Sequence, residues 1–383
     1  MQYKYLYIDD VKDGNEIGVI NALQKDGHLE VDFMQPMEWD LMFTKEIDGT
    51  PNVDYLPKNL EGYNGLILDL RLYDNANNKG YTATYRGSTV AQEIRTLVKE
   101  KEINHDIPIV LITANENVDT SLDETGKDLF DNIVKRSDVG NAYTTFRSKL
   151  ISLAAGYIFF NNEQKSLEYI FSYDKVSNID FRFIQYFNDI KDQPTHVISR
   201  FLTKNVFEKP SFLIDEYYLS ARLGISMQSE DWINFKNNFL NDYKYKGVFS
   251  DFYDRWWMVE IENWWDENFK DCYLRSITSL DRAKLISELF ALKLSPLEKT
   301  PRSTSNKFWT VCKVTKRAID NVDGFIIANQ DDNFPWQEKE YISRDEALRP
   351  TNKTLWKDVA IIDKEKLEKL KAVLEREEQR EKR

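Results

Sequence analysis

The first 150 residues alternate between short apolar runs and segments whose apolar residues recur at helical spacing. The apolar runs predict five strands, at Tyr3 to Ile8, Leu29 to Phe33, Gly65 to Leu70, Ile107 to Thr113 and Asn132 to Lys135. Between these runs, Glu16 to Gln24 and Val90 to Lys101 have the spacing of amphipathic helices. Because strands that alternate with helices pair in parallel and are covered on both faces, we predict an α/β fold with a doubly wound, five-stranded parallel sheet.

After about residue 150 the pattern becomes mainly helical, and aromatic residues recur at helical intervals. In RWWMVEIENWWDENF, residues 255 to 269, Trp257, Ile261 and Trp265 fall on one face of a helix. This stripe predicts either a core helix or an exposed surface for a partner or ligand. Two β-prone runs, FWTVCKVTKRAID and GFIIANQ, predict a small β element in the otherwise helical C-terminal region.

A chain of 383 residues is longer than a single hydrophobic core usually supports, so more than one domain is expected. We predict three parts: residues 1–150 as the α/β domain with two long loop insertions, 151–292 as a helical, aromatic-rich domain, and 293–383 as the remainder. The last part opens with an exposed linker rich in Lys, Ser, Thr and Pro. It ends in DKEKLEKLKAVLEREEQREKR, which predicts a densely charged helix that either docks or frays.

Composition narrows the class of protein. No run approaches the roughly 18 apolar residues of a membrane span, and the chain starts without a secretory signal pattern, so a cytoplasmic protein without a membrane partner is expected. Cys272 and Cys312 form no CxxC pair, which excludes a disulfide framework and a cysteine zinc site. Residues 1–149 carry 16 Lys and Arg against 26 Asp and Glu, a net −10 of the total −12, and this acidity disfavours nucleic acid as a partner.

Charged and hydroxyl side chains stand where the predicted strands end. Asp9 and Asp10 follow the first strand, Asp69 ends the third, Thr113 the fourth and Lys135 the fifth. In a parallel α/β sheet the carboxyl ends of the strands lie at one edge, where ligands bind. Three carboxylates that meet there need a counterion, and a hard divalent cation with oxygen ligands, usually Mg2+, meets that need.

The ordered set DD, LDL, ITA and K at the ends of strands one, three, four and five resembles the receiver domain of two-component response regulators. The resemblance covers about residues 1–150 and implies a flavodoxin-like fold. It implies that Asp69 accepts a phosphoryl group from a histidine kinase or phosphotransfer protein, and that Asp9, Asp10 and Asp69 bind Mg2+. It further implies that Thr113 hydrogen-bonds the phosphoryl oxygens and that Lys135 neutralises them. These roles suit phosphoryl transfer, which proceeds by positioning and charge neutralisation.

Several features depart from the family pattern. Asp10 and Asp69 are 59 residues apart, and Asp69 and Thr113 are 44 apart, so the excess lies in the segments 44–62 and 73–89. The second segment predicts either a functional loop, which covers the phosphorylation pocket or selects the kinase, or a passive surface loop. Arg136 follows the lysine where the family often has a proline, and Asn132 stands where many receivers carry a switching aromatic, for which Phe130 is the one nearby substitute.

The segment 210–240 offers a different interpretation. DEYYLSARLGIS resembles the first helix and turn of a helix-turn-helix, with Gly224 at the bend. The helix that follows, DWINFKNNFLNDYK, carries two lysines and exposed-looking aromatics rather than a basic recognition face. A helical packing or protein-binding unit is therefore favoured over a DNA-binding one. No Gly-rich phosphate loop, HExxH or GxSxG motif occurs in this half of the chain.

Together these observations predict a phosphorelay response regulator whose helical output domain binds a protein partner, as a monomer or a homodimer. No catalysis is predicted beyond phosphoryl acceptance and autodephosphorylation at Asp69. Two alternatives stay open: a receiver-regulated effector enzyme of a bacterial conflict or defence system, and a phosphate sink or scaffold. A DNA-binding transcriptional regulator is the least favoured class.

Overall fold

The structure of the protein is a computed structural model that describes residues 2–10, 15–42, 46–47, 49–53, 55, 60–74, 83–113, 122–162, 165–349 and 358–381. The chain forms two compact units. The first comprises Met1–Ser172, Asp189–Phe201 and Gly247–Phe252, and the second comprises Tyr173–Asn188, Leu202–Lys246 and Tyr253–Arg383. No helix among the described residues is both long enough and apolar enough to cross a membrane.

Five parallel strands form the sheet of the first unit. They are β1 (Tyr3–Ile8), β2 (Leu29–Met34), β3 (Gly65–Asp69), β4 (Ile109–Thr113) and β5 (Asn132–Lys135). Their order across the sheet is β2-β1-β3-β4-β5, with parallel pairing throughout. This is the flavodoxin-like strand order, so the predicted fold class is confirmed. The strands β1 and β5 have the predicted bounds, and each of the other three differs from its predicted bounds by one or two residues at one end.

Helices connect and flank these strands. They are α1 (Asn15–Gln24), α2 (Pro36–Met42), α3 (Gly87–Lys99), α4 (Glu124–Lys127), α5 (Arg136–Asn141) and α6 (Tyr143–Asn162). Because β3 and β4 are buried along their whole length, both faces of the sheet centre are covered. On α3 the buried residues Val90, Ile94 and Leu97 recur at spacings of four and three, so one face of that helix packs in the core.

The amino ends of β4 and β5 hold a buried ionic network. Arg95 of α3 donates to Asp106 Oδ1 at 2.5 Å and to Asp131 Oδ2 at 3.0 Å. The backbone N–H of His196 donates to Asp106 Oδ2 at 2.8 Å, and the hydroxyl of Tyr157 donates to Asp131 Oδ1. Although burial alone would raise the pKa of Asp106, Arg95 and His196 lower that pKa to about 2. The network lies at the edge of the sheet opposite to the carboxyl ends of the strands.

The rest of the chain is mainly helical, as predicted. Its helices are α7 (Leu167–Phe171), α8 (Phe181–Ile190), α9 (Thr195–Leu202), α10 (Glu216–Leu223), α11 (Trp232–Asn238), α12 (Met258–Asn268), α13 (Ser279–Phe290), α14 (Arg344–Ala347) and α15 (Ile361–Glu381). Three short antiparallel pairs accompany them: β6 (Leu213–Ile214) with β7 (Trp256–Trp257), β8 (Thr310–Val311) with β9 (Ala318–Ile319), and β10 (Gly324–Ile326) with β11 (Tyr341–Ser343).

The aromatic stripe of residues 255–269 belongs to the core. Trp256 and Trp257 form β7, and Trp264 and Trp265 lie on α12; all four are buried, as is Ile261. The stripe is therefore a packing surface and not an exposed partner patch, because residues from distant parts of the second unit cover it.

A buried arginine joins three segments of the second unit. Arg282 of α13 is fully buried and donates to the backbone oxygens of Ala221, Arg222 and Phe308, two of which lie at the end of α10. Its side chain thus satisfies carbonyl groups that the last turn of a helix leaves without partners. No carboxylate among the described residues forms an ion pair with it. Burial accordingly lowers the pKa of the guanidinium to about 10.

The charged C-terminal helix docks on the small β element. Leu367 of α15 is fully buried in a cluster that includes Phe325 of β10. Asp363 accepts a hydrogen bond from the backbone N–H of Ile326 at 2.7 Å, and Lys366 donates to the backbone oxygen of Gly324. Of the two predicted outcomes for this segment, docking is thus the observed one.

Candidate functional site

The sequence-predicted residues share the carboxyl edge of the sheet. The register pairs Ile8 with Leu68, which places Asp9 beside Asp69 on adjacent strands. On the other side of the sheet centre, Thr113 of β4 is paired with Lys135 of β5. The parallel pairing of these strands therefore collects all the predicted residues at one edge, as the sequence indicated.

Three carboxylates meet at this edge. Asp9, Asp10 and Asp69 each offer an oxygen, and these oxygens lie within 4.8 Å of one another. Asp9 is fully buried and Asp69 is 8% exposed, whereas Asp10 is partly exposed. Carboxylates at this separation repel one another unless a cation compensates them.

Arg136, the first residue of α5, supplies a positive charge directly to this cluster. Its Nη2 lies 2.6 Å from Asp9 Oδ2 and 3.4 Å from Asp69 Oδ1. In the sequence Arg136 stood out only as a departure from the family's proline. The structure shows instead that the residue after the lysine is a cation in contact with the acids, and only its neighbours in space could reveal that.

Lys135 is exposed, and no ion pair joins it to a carboxylate within the described residues. Thr113 is 2% exposed at the end of β4. Asn132 begins β5 and accepts a hydrogen bond from Lys149 of α6 at 3.1 Å, while Phe130 is buried in the core. Neither of these two residues stands at the carboxyl edge, since both lie at the amino end of β5.

The surroundings of Asp69 fix its position and its charge. Its Oδ2 accepts the backbone N–H of Arg71 at 2.8 Å, which orients the carboxylate. Burial raises the pKa of Asp69 above its ordinary value, and the Arg71 hydrogen bond and Arg136 oppose that rise. Gly87 begins α3 against the backbone of this residue, and a Cβ added there would lie 2.3 Å from the Asp69 carbonyl oxygen. Only glycine therefore allows this close approach.

Asp9 is held from its own strand as well. The hydroxyl of Tyr7 donates to Asp9 Oδ2, the oxygen that also receives Arg136. Burial, and then the Asp9 charge, raise the pKa of Tyr7 far above its ordinary value, so the phenol stays protonated and remains a donor. Two donors from different elements thus fix this carboxylate.

The donor set fits a hard divalent cation. Carboxylate oxygens are the ligands that Mg2+ uses, and Asp10 leaves the cluster open toward solvent on its partly exposed side. Arg136 already neutralises part of the charge at Asp9 and Asp69, so an incoming cation shares these oxygens with the guanidinium.

The second insertion rises next to this site. The strands Arg71–Asp74 and Ala83–Arg86 pair antiparallel, and residues 75–82 lie outside the described residues. Whether it covers the pocket stays a prediction. In the first insertion Glu46–Ile47 pairs with Thr50–Pro51, and residues 43–45, 48, 54 and 56–59 are outside the described part.

The helix-turn-helix resemblance at 210–240 has a partial counterpart. Gly224 ends α10 with a φ of +71°, where a left-handed residue favours glycine. In α11, which follows, Lys236 pairs with Glu216 at 2.8 Å and lies over the Trp256 ring. The exposed positions of α11 include Ile233 and carry no other cation among the described residues.

No protein-family model matches the chain, and no curated protein matches it. Among solved structures, its N-terminal region is similar to the receiver domain of the sensor histidine kinase PA1611 from Pseudomonas aeruginosa PAO1, which has a magnesium ion coordinated in its active-site cleft. The two sequences are 13% identical, the alignment covers 39% of this chain and 98% of that chain, and the TM-score is 0.25. It is also similar to the phosphorylated cyanobacterial phytochrome response regulator RcpA (19% identity, 41% and 91% covered, TM-score 0.24). A third similar structure is the receiver domain of Ssk1 from Saccharomyces cerevisiae, solved with the histidine phosphotransfer protein Ypd1 (11% identity, 40% and 89% covered, TM-score 0.28). The N-terminal two fifths of the chain are thus similar to response regulator receiver domains.

Proposed function

We propose that the first unit is a phosphorylation receiver in which Asp69 accepts a phosphoryl group from a histidine kinase or a histidine phosphotransfer protein. The observation that carries this proposal is the cluster of three carboxylates at the carboxyl edge of a flavodoxin-like sheet. The paired strand ends at Thr113 and Lys135 add a hydroxyl and an ammonium at the same edge.

Asp69 is the nucleophile in this proposal. An ionised carboxylate needs no general base, and the Arg71 amide holds one of its oxygens while the other faces Arg136. A carboxylate oxygen forms the bond to phosphorus as the bond to the donor imidazole nitrogen breaks, and the nitrogen keeps the electron pair. The product is an aspartyl phosphate.

Three other groups serve the transferred phosphoryl group. The hydroxyl of Thr113 donates a hydrogen bond to one of its oxygens, and Lys135 neutralises another. Asp9, Asp10 and Asp69 would hold Mg2+, which when bound neutralises charge on the phosphoryl oxygens. Tyr7 and Arg136 keep Asp9 fixed in place for that role.

The second unit is the candidate output domain, and its partner is proposed to be a protein. In support, the second helix of the helix-turn-helix-like segment has its one lysine bound to Glu216, which leaves no basic recognition face. Phosphorylation at Asp69 adds negative charge and acceptor oxygens next to Thr113 and Lys135, and such charge changes reorder the loops around a site.

Intact-mass spectrometry after incubation with acetyl phosphate tests the proposal. The native protein is expected to gain one phosphoryl group in the presence of Mg2+, and neither Asp69→Asn nor native protein in EDTA is expected to gain one. Circular dichroism of Asp69→Asn should match the native spectrum, which keeps loss of folding apart from loss of the acceptor. A modification that persists in Asp69→Asn would place the acceptor elsewhere, and no modification with any phosphodonor or kinase would refute the receiver function.

A further inference from the structure

A cavity of about 730 Å³ opens within the second unit. Its walls come from the turn after α10, from the segment Ser295 to Thr300 and from the loop that joins β8 to β9. Cavities of this size bind small molecules in other proteins, where the usual range is roughly 300 to 1,000 Å³. The cavity therefore has room for a ligand of nucleotide size.

The charged side chains around the cavity are mostly positive. Lys299, Lys316 and Arg317 line it, against the single carboxylate of Glu298. In the part of the chain that the structure describes, none of these three cations has an ion-pair partner. All three are exposed, so their charge is available to a ligand in the cavity.

The sequence concentrates this charge in one segment. From Lys299 to Ile319 the chain carries six Lys and Arg residues and no Asp or Glu, although the whole protein has a net charge of −12. Two of the six form ion pairs with carboxylates that do not line the cavity: Lys313 pairs with Glu340, and Arg302 lies 3.8 Å from Asp345. The cavity thus receives half of the positive charges of this segment.

The remaining lining suits a ligand that is anionic at one part and apolar at another. The hydroxyl group of Ser295 adds a neutral donor beside the cations. Met227 and Leu297 supply apolar surface, on which a flat ring can pack. Arginine and lysine are the residues that bind phosphate oxygens in proteins, arginine through its two-pronged donor geometry.

We propose that this cavity binds a nucleotide, with its phosphate groups at Lys299, Lys316 and Arg317 and its base against Met227 and Leu297. The site lies within the second unit and does not depend on the phosphoryl acceptor. A nucleotide is favoured over duplex nucleic acid because the space is of small-molecule size and three segments of the chain line it. The adjacent helix α11, moreover, exposes no further cation among the described residues.

The proposal is tested by equilibrium binding of fluorescently labelled ATP to the full-length protein. The protein carries Asp69→Asn, so that phosphoryl acceptance at Asp69 cannot contribute to the signal. Saturable binding is expected, with ADP and inorganic pyrophosphate competing and adenosine competing at least about tenfold more weakly, a difference of about 1.4 kcal/mol. The double variant Lys316→Gln, Arg317→Gln is expected to weaken binding by about tenfold or more.

Lys307→Gln is the matched control, because Lys307 lies in the same basic segment, is exposed, and does not line the cavity. It is expected to bind ATP as the native protein does. The proposal is overturned if ATP and pyrophosphate fail to bind, if adenosine competes as well as ADP, or if Lys307→Gln loses as much affinity as the double variant. Binding of duplex DNA with no binding of ATP would assign the basic segment to nucleic acid instead. The substitutions at Lys307, Lys316 and Arg317 change exposed side chains, and thermal unfolding unchanged from that of Asp69→Asn verifies that these variants fold.

Discussion

Replacing Arg136 by Gln tests whether its guanidinium and Mg2+ compete for the same carboxylates. Arg136 Nη2 lies 2.6 Å from Asp9 Oδ2 and 3.4 Å from Asp69 Oδ1. A divalent cation held by these acids must share their negative charge with the guanidinium. We therefore expect Arg136→Gln to bind Mg2+ more tightly than the native protein does.

The burial of the partners sets the size of this effect. The side chains of Asp9, Asp69 and Arg136 are 1%, 12% and 25% exposed. Hydrogen bonds between charged groups contribute about 1.5 to 3 kcal/mol, and solvent screening of a guanidinium that is one quarter exposed favours the lower end of that range. Because 1.4 kcal/mol corresponds to tenfold in an equilibrium constant, the Kd for Mg2+ is expected to fall about tenfold.

The stability of the variant should depend on Mg2+ more strongly than the stability of the native protein does. Without the guanidinium, three carboxylates share the site with less compensating charge, so in EDTA we expect the free energy of unfolding to fall by about 1 to 2 kcal/mol. Since a ligand stabilises the folded state in proportion to the logarithm of its concentration over Kd, saturating Mg2+ should remove most of this deficit.

Calorimetric titration with Mg2+ and urea unfolding with and without the ion are the two assays. Arg71→Gln is the matched control: it removes the same charge two residues from Asp69, but from an exposed side chain. It should change the Kd for Mg2+ by far less than Arg136→Gln. If Arg136→Gln bound Mg2+ no more tightly than the native protein, or if its loss of stability were the same in EDTA and in Mg2+, competition between the guanidinium and the ion would be refuted.

Three further substitutions probe other parts of the fold. Unfolding is followed by circular dichroism for Asp106→Asn and Arg282→Met, and the rate of phosphorylation is measured for Gly87→Ala. Asp106→Asn should lower the free energy of unfolding by about 2 kcal/mol at neutral pH. Because the pKa of Asp106 in the folded state is lowered to about 2, its stabilisation is complete above about pH 4 and is lost as the pH falls through 2. The difference in unfolding free energy between native protein and variant should therefore narrow on acidification, and a difference independent of pH would contradict this. Gly87→Ala should slow phosphorylation of Asp69 by acetyl phosphate, because a Cβ would collide with the Asp69 carbonyl oxygen, and a native rate would show that the backbone relaxes without cost. Arg282→Met should lower the free energy of unfolding by about 3 to 5 kcal/mol, since several buried carbonyl groups lose their donor, and a loss below about 1 kcal/mol would mean that water satisfies them.

The predictable part of this protein follows from local periodicity. Apolar runs of four to seven residues marked the strands, and the alternation with helices predicted parallel pairing. Parallel pairing brings strand ends to one edge, so Asp9 and Asp69 were predicted to meet although 60 residues separate them. The bounds of a helix were also close to the prediction, since the helix predicted at Val90 to Lys101 is observed at Gly87–Lys99.

The rest depended on which surfaces meet in three dimensions. A stripe of tryptophans predicts an apolar face but not whether another part of the chain covers it, and here the core of the second unit does. The cation-lined cavity is equally hidden from sequence reasoning, because Lys299 and Arg317 reach the same space as Met227 only after folding.

The sequence by itself determined the strands of the sheet and the gathering of carboxylates at its edge. The position of each strand and helix follows from a local period of two or of 3.6 residues, and parallel pairing then brings the strand ends to one edge. Only the tertiary structure decided that Arg136, and not Lys135, contacts those carboxylates. The two residues are adjacent in the chain, but the strand ends at one and a helix starts at the other. The direction of a side chain at such a junction depends on the surrounding packing, which no local pattern encodes.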